Sequence, residues 1–233
     1  MDLNLIKNTA IGAAYGSANI LRAHLGNLDG VDKKGPDDLV TAADLASEKH
    51  IVAAIQERFP EHDILAEESG SRQGGGSNDC RWIIDPLDGN TNFAHQLPIF
   101  SVSIAFAFGG AIKVGVVLNP MSGELFTAVE GQGATLNGRP IHCSACASLS
   151  ESLLVTGFPY DAKKRLSAYM KVFERCLQAA IGIRRLGSAA LDLCFVACGR
   201  FEGFWEQKLK PWDTAAGVLI AREAGGRVTD FSG

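Results

Sequence analysis

Trp82-Ile83-Ile84-Asp85-Pro86-Leu87-Asp88-Gly89-Asn90-Thr91-Asn92-Phe93 is the stretch that decides how this chain is read. Trp82, Ile83 and Ile84 predict a short buried strand. Pro86 has no N–H with which to continue a ladder, so the chain is expected to turn as Asp85 emerges. Two acids three positions apart, Asp85 and Asp88, then converge at a strand end. Hard divalent cations such as Mg2+ are held by a few carboxylates, carbonyls and waters, with phosphate oxygens of a substrate completing the shell. If Gly89 and Asn90 open a helix, their backbone N–H groups are donors for that phosphate. An Asp-x-x-Asp alone is more often a solvated, capped turn. The apolar entry, the proline, the glycine and the amide-rich exit set this one apart.

The rest of the composition is compatible with such a site. With 233 residues, 46% hydrophobic and 21% charged, the chain reads as globular rather than disordered, with a core sufficient for one or two domains. A formal net charge of −4 argues against a general nucleic-acid binder, so an anionic substrate has to be captured by metal. Met1-Asp2-Leu3-Asn4-Leu5 lacks the basic region of a signal peptide and reads as the start of an amphipathic helix, making the cytoplasm the expected location. The apolar run over residues 101–118 is interrupted by Gly109-Gly110 and contains Lys113. It predicts two strands joined by a glycine turn rather than a membrane span. Cys80, Cys143, Cys146, Cys176, Cys194 and Cys198 are expected as reduced thiols. Cys143 and Cys146 have the spacing of a redox or zinc motif, but no second pair answers them, and plain packing is the favoured reading.

Along the chain, helical periodicity predicts helices over residues 3–25 and 42–59. The second has Thr41 as a candidate N-cap, Asp44 three residues on and Pro60 beyond its end. Residues 30–38, rich in glycine and charge, predict a loop, as do the glycines of 72–78. A strand over 63–66 delivers Glu67, Glu68 and Ser69. Strands over 101–108, 111–119, 124–130 and 134–136 predict an antiparallel sheet. From residue 151 strands and helices alternate: strands at 153–156, 183–186, 201–205 and 227–230, helices at 162–180, 189–198 and 213–224. The expected organisation is an N-terminal α+β domain over 1–142 and a C-terminal α/β domain over 143–233, with the site in the cleft between them.

Five stretches in this order, Thr41-Ala42-Ala43-Asp44, Glu67-Glu68-Ser69, the segment from Trp82 to Phe93, Gly187-Ser188-Ala189-Ala190 and Trp212-Asp213-Thr214-Ala215-Ala216-Gly217, resemble the motifs of the inositol monophosphatase family, the lithium-sensitive, Mg2+-dependent phosphatases. The resemblance spans nearly the whole chain and implies the layered αβαβα sugar-phosphatase fold, of α+β class. It also implies a homodimer, inhibition by lithium, and a further strand and helix beyond the Glu223–Gly226 element.

The same resemblance assigns roles. Glu67, Asp85 and the carbonyl of Leu87 would hold a first Mg2+, while Asp85, Asp88 and Asp213 would hold a second, with a third ion in some members. Taken singly, Glu67 is equally a solvated strand end and Asp213 a helix cap. Water would be the nucleophile, oriented by a threonine after the signature glycine; here that position is Asn90, with Thr91 one residue further. The catalytic set is therefore Glu67, Asp44 and Asn90, Asp44 being nearly as well explained as the capping partner of Thr41. Lys33 matches the mobile-loop lysine or is a solvated charge. Substrate contacts are implied for Asp88, Gly89, Asn90, Thr91, Gly187, Ser188 and Ala189, and for Glu206, which lies seven residues before Asp213 and would accept from polyol hydroxyls. Arg184 and Arg185 are placed near the leaving group, at a partner subunit, or on a solvated edge.

These features predict a Mg2+-dependent phosphomonoester hydrolase acting on inositol 1-phosphate or a related polyol monophosphate. The alternatives are a broad sugar, fructose-1,6-bisphosphate, nucleotide or histidinol phosphatase of the same superfamily, or a relative with a protein-partner role in transcription. No nucleic acid or membrane is indicated.

Overall fold

A computed structural model of the chain describes residues 1–26, 31–33, 39–76, 79–159 and 161–233, and for 31–33 and 39–41 the backbone only. The elements in order are α1 (Leu3–His24), β1 (Val31–Lys33), β2 (Leu39–Thr41), α2 (Ala42–Arg58), β3 (Asp63–Ala66), β4 (Gly70–Arg72), β5 (Cys80–Asp88), α3 (Asn90–Ala94), β6 (Ser101–Phe108), β7 (Ala111–Leu118), β8 (Leu125–Val129), β9 (Ala134–Leu136) and β10 (Arg139–Ile141). After these come β11 (Leu153–Thr156), α4 (Leu166–Ala179), β12 (Gly182–Arg184), α5 (Ala189–Ala197), β13 (Gly203–Trp205) and α6 (Pro211–Glu223).

The main sheet has eight strands in the order β10-β9-β8-β7-β6-β5-β3-β4, antiparallel except where β3 runs parallel to β5. Its central strands are buried on both faces, which is why they read as continuous apolar runs. Trp82, Ile84, Ile104, Phe106, Val114 and Val116 face α1 and α2. The alternate positions Ile83, Ala105, Ala107, Val117 and Ala128 face α5 and α6. This second face is lined with small residues because α6 lies directly against it: a Cβ at Gly115 would come within 2.7 Å of the Ala216 carbonyl oxygen. A smaller sheet, β12-β11-β13, is wholly parallel and packs beyond α5, with α4 outside it. The layers thus run helices, sheet, helices, sheet, helix, as the αβαβα fold requires.

Several expectations are corrected. The strand of the signature does not end at Asp85. It continues through Pro86 to Asp88, with a register shift between Asp85 and Asp88 against Ser103 and Ser101 of β6. The proline is tolerated because it falls where the ladder is already interrupted. Residues 227–230 form no strand. The chain leaves α6 through Gly225, at φ +90°, and no described strand pairs with residues 226–233. The predicted helix over 162–180 is split into a 3-10 turn, Ala162–Arg165, and α4. Two short strands were not anticipated: β4, which pairs with β3 and has Gly70 at φ +73°, and β10, which pairs with β9. Within the expected loop at 30–38, β1 pairs with β2, while Asp38 and the side chains of Lys33 and Thr41 lie outside the described residues.

Candidate active site

The fold brings strand ends and helix starts to one cleft of about 540 Å3. β3 ends at Ala66, which pairs with Ile84 of the parallel β5, so Glu67 leaves the sheet beside Asp85, which is still held in β5. β11, β12 and β13 are parallel, so Gly157, Arg185 and Glu206, which follow them, emerge on one side, as ligand sites in parallel sheets commonly do. Glu67, Asp85, Leu87, Asp88, Asn90 and Asp213 line this cleft, and so do Gly157, Arg185, Gly187, Ala189 and Glu206.

Each carboxylate is held by a specific donor. Asp85 is buried, and its Oδ1 accepts from the Leu87 N–H at 3.0 Å. Asp88 lies at the start of α5, where Oδ2 accepts from the Ser188 hydroxyl at 2.6 Å and the Ala190 N–H at 2.7 Å, and Oδ1 faces the Ala189 N–H at 3.3 Å. The exposed donors of a helix N-terminus are a natural seat for a negative charge. Asp213, in the first turn of α6 after Pro211, accepts from the Lys210 N–H at 2.6 Å. Asp213 is therefore a helix cap and a cleft residue at once.

The electrostatics of the cleft are those of crowded acids. Burial raises the Asp85 carboxyl well above its ordinary value, and the charges of Glu67, Asp88 and Asp213, with a hydrogen bond to Glu67, push it the same way. Asp88 is pushed up to about 7 by burial and by Asp213, against the lowering effect of the Ser188 and α5 backbone hydrogen bonds. Burial also raises Asp213, while Lys210 opposes the shift. Glu206 is pushed up to about 7 by burial, Asp88 and Asp213, with Arg185 opposing. Behind the cleft Asp192, on α5, is raised to about 9 by burial and by Asp88 and Glu206. Such a set repels itself until a cation or protons neutralise it.

Carboxylates and one backbone carbonyl are the donors that hard divalent ions select, and a further observation fits the same ligand. Asn90 is buried, and its Oδ1 has no hydrogen-bond partner among the described residues although it borders the cleft. A hydrated cation would supply that donor. Among the described residues no three acidic, histidine or cysteine side chains are gathered tightly around one point. Asp88 and Asp213 turn their oxygens to helix amides instead.

Not every anticipated contact faces the cleft. Ser188 is buried, and its hydroxyl holds Asp88. Asp44 is fully buried on the first turn of α2. Arg185 lines the cleft, whereas the Arg184 guanidinium is exposed and donates to the Ile183 carbonyl. Sequence reasoning overlooked Asn92, whose side-chain N–H2 donates to Ile99 O at 2.6 Å and Leu186 O at 2.8 Å, tying α3 to the loop before α5. It also overlooked Gly157: a Cβ there would lie 2.0 Å from Glu206 Oε2, so only glycine leaves room for that carboxylate. The available signal was the Gly157-Phe158-Pro159 turn directly after a strand.

The profile of the inositol monophosphatase family matches residues 2–233. The chain belongs to this family. The Nus factor SuhB of Escherichia coli strain K12 is 46% identical over 228 residues, which are 97% of this chain and 85% of that protein. The Nus factor SuhB of Pseudomonas aeruginosa is 45% identical over 97% of this chain and 85% of its own length. Among solved structures, the extragenic suppressor protein suhB of Bartonella henselae superposes with a TM-score of 0.91 at 42% identity, covering 95% of this chain and 85% of that one. The inositol monophosphatase of Anabaena gives 0.87 at 44% identity, over 97% and 84%. The layered architecture is thus that of the inositol monophosphatase family. Among the described residues no helix is long and apolar enough to cross a membrane.

Proposed function

We propose that this inositol monophosphatase family member is a Mg2+-dependent phosphomonoesterase acting on inositol 1-phosphate or a related polyol monophosphate. The observation that carries the reading is the convergence of Glu67 after β3, Asp85 and Asp88 on β5, and Asp213 on α6 onto one cleft, where the other three raise the pKa of Asp85. Bound Mg2+ would neutralise the phosphate and make an attacking water more acidic. Glu67, Asp85, the Leu87 carbonyl, Asp88 and Asp213 are the residues that would hold it. Asn90 Oδ1 is placed to accept from the attacking water and orient it, a positioning role in a reaction whose catalysis is mainly positioning and charge neutralisation. In the same cleft Glu206, seated over Gly157, accepts from the hydroxyls of a polyol, and Arg185 balances part of its charge. Phosphate release from a panel of inositol, sugar, nucleotide and histidinol monophosphates tests the assignment. Inositol 1-phosphate should lead the panel, and a clear preference for nucleotides would overturn the polyol reading.

The names of the Nus factor relatives favour a second reading, a protein-partner role in transcription alongside catalysis. One surface fits protein contact: Leu166, Met170 and Leu177 of α4 and the adjacent Ile181 are exposed next to β12, an edge strand. We propose that a second copy of the chain, in the homodimer that the family resemblance implies, covers this face in preference to a transcription partner. Sedimentation should give a dimer that Leu177→Glu dissociates. A monomer at micromolar concentration would instead leave the face to another partner.

A further inference from the structure

The inner face of α2 carries two polar side chains that the proposed chemistry leaves unused. Glu48 is 4% exposed, and its carboxylate accepts two backbone donors, the Glu68 N–H at Oε2 and the Ser69 N–H at Oε1, both at 2.8 Å. Those amides belong to the turn after Glu67, whose own N–H donates to Ile84 O in β5 at 3.2 Å. One residue earlier, the buried Ser47 hydroxyl donates to the Pro86 carbonyl at 2.9 Å, between Asp85 and Leu87. Ser47 has a single proton to give, so Ser17, 2.5 Å away, is the donor of the contact between the two hydroxyls.

A single helix therefore grips the two main-sheet segments that carry Glu67, Asp85 and Asp88. We propose that Glu48 and Ser47 are positioning residues for the metal site: Glu48 fixes the turn that presents Glu67, and Ser47 fixes the interrupted strand that presents Asp85 and the Leu87 carbonyl. This inference rests on the metal-dependent reading above. Glu48 is suited to the task because a carboxylate accepts two N–H groups in charge-assisted bonds, whereas glutamine offers one oxygen and would turn an NH2 toward the second amide. Groups that orient ligands in this way typically contribute tenfold to a hundredfold in metal affinity.

The molecule contains its own control. Glu223, near the far end of α6 from Asp213, makes the same two-amide contact with the Gly131 and Gly133 N–H groups, both at 2.8 Å, on the β8–β9 hairpin. Mg2+ binding to wild type, Glu48→Gln and Glu223→Gln is measured by isothermal titration calorimetry on the folded chain, with thermal unfolding alongside. Both variants should lose stability, but only Glu48→Gln should bind Mg2+ at least about tenfold more weakly. Equal affinity in the two variants would overturn the positioning role and leave Glu48 a structural clamp. Absence of binding by wild type would instead overturn the metal-dependent function. Should Glu48→Gln fail to fold, Ser47→Ala carries the test, with an expected weakening of about threefold or more and unchanged affinity as the contrary result.

Discussion

The Ser188 hydroxyl donates to Asp88 Oδ2 across 2.6 Å, joining residues one hundred positions apart. This contact fastens the start of α5 to the end of β5, and so sets one side of the cleft against the other. Ser188 also caps α5 by accepting from the Leu191 N–H. Ser188→Ala removes a hydrogen bond to a charged group together with a helix cap. It should destabilise the chain by about 1–3 kcal/mol and lower phosphatase turnover by about tenfold. Urea unfolding and phosphate release check both, and unchanged values in the two assays would mean that Asp88 is held by the α5 amides alone.

Asn90 stands where the family signature carries a threonine. An amide orients water but cannot relay a proton as a hydroxyl can. Asn90→Ala should reduce turnover roughly tenfold to a hundredfold, less than loss of a metal carboxylate, while Asn90→Thr should preserve or raise it with little change in KM. Steady-state kinetics at saturating Mg2+ decide, and wild-type turnover in the alanine variant would transfer the role to Glu67, Asp44 or Thr91.

Gly157 separates substrate recognition from metal binding. In Gly157→Ala the three atoms nearest the new methyl all belong to the end of the flexible Glu206 side chain, so the fold should survive while that carboxylate is displaced. KM for inositol 1-phosphate should rise by about tenfold with the Mg2+ requirement unchanged, as a lost hydrogen-bonding group predicts. An unaltered KM in the alanine variant would remove Glu206 from the substrate site.

His62 gives the fold a pH dependence away from the cleft. Its Nδ1 accepts from Trp82 Nε1 at 3.1 Å and its ring stacks on Phe59 at 4.8 Å. Burial lowers its pKa below the ordinary 6.5, against the opposing charge of Glu61. Because the unfolded chain takes up this proton first, the contribution is fully present above 6.5 and is lost as pH falls from 6.5 through the lower folded value. The urea midpoint should therefore drop between about pH 7.5 and about pH 5.5, and the drop should be smaller in His62→Gln, which keeps an acceptor for Trp82 and cannot titrate. Equal drops in both proteins would assign the pH dependence to other groups.

Most elements were legible because their residues repeat a simple period. The apolar run from Ser101 to Leu118, interrupted at Gly109-Gly110, gave β6 and β7, and the helical apolar spacing from Leu3 gave α1. The cleft carboxylates Glu67, Asp85, Asp88 and Asp213 were legible as members of motifs. What the sequence did not disclose depends on partners distant along the chain. Pro86 remains in a strand because β6 accommodates a bulge beside it, and residues 227–230 form none because no described neighbour pairs with them. The Ser188 hydroxyl is committed to Asp88, a partner one hundred residues away, and nothing local to Glu48 marks it as the acceptor of the Glu68 and Ser69 amides.

The central claim is that the cleft hydrolyses a polyol phosphate with the help of metal held by Asp85 and its neighbours. Its most direct test is phosphate release from inositol 1-phosphate by chelator-stripped protein, before and after Mg2+ is restored, with Asp85→Asn in parallel. Release should be negligible without Mg2+, recover on its addition, and fail to recover in Asp85→Asn. Undiminished hydrolysis in excess chelator, or a wild-type rate in Asp85→Asn, would contradict the claim.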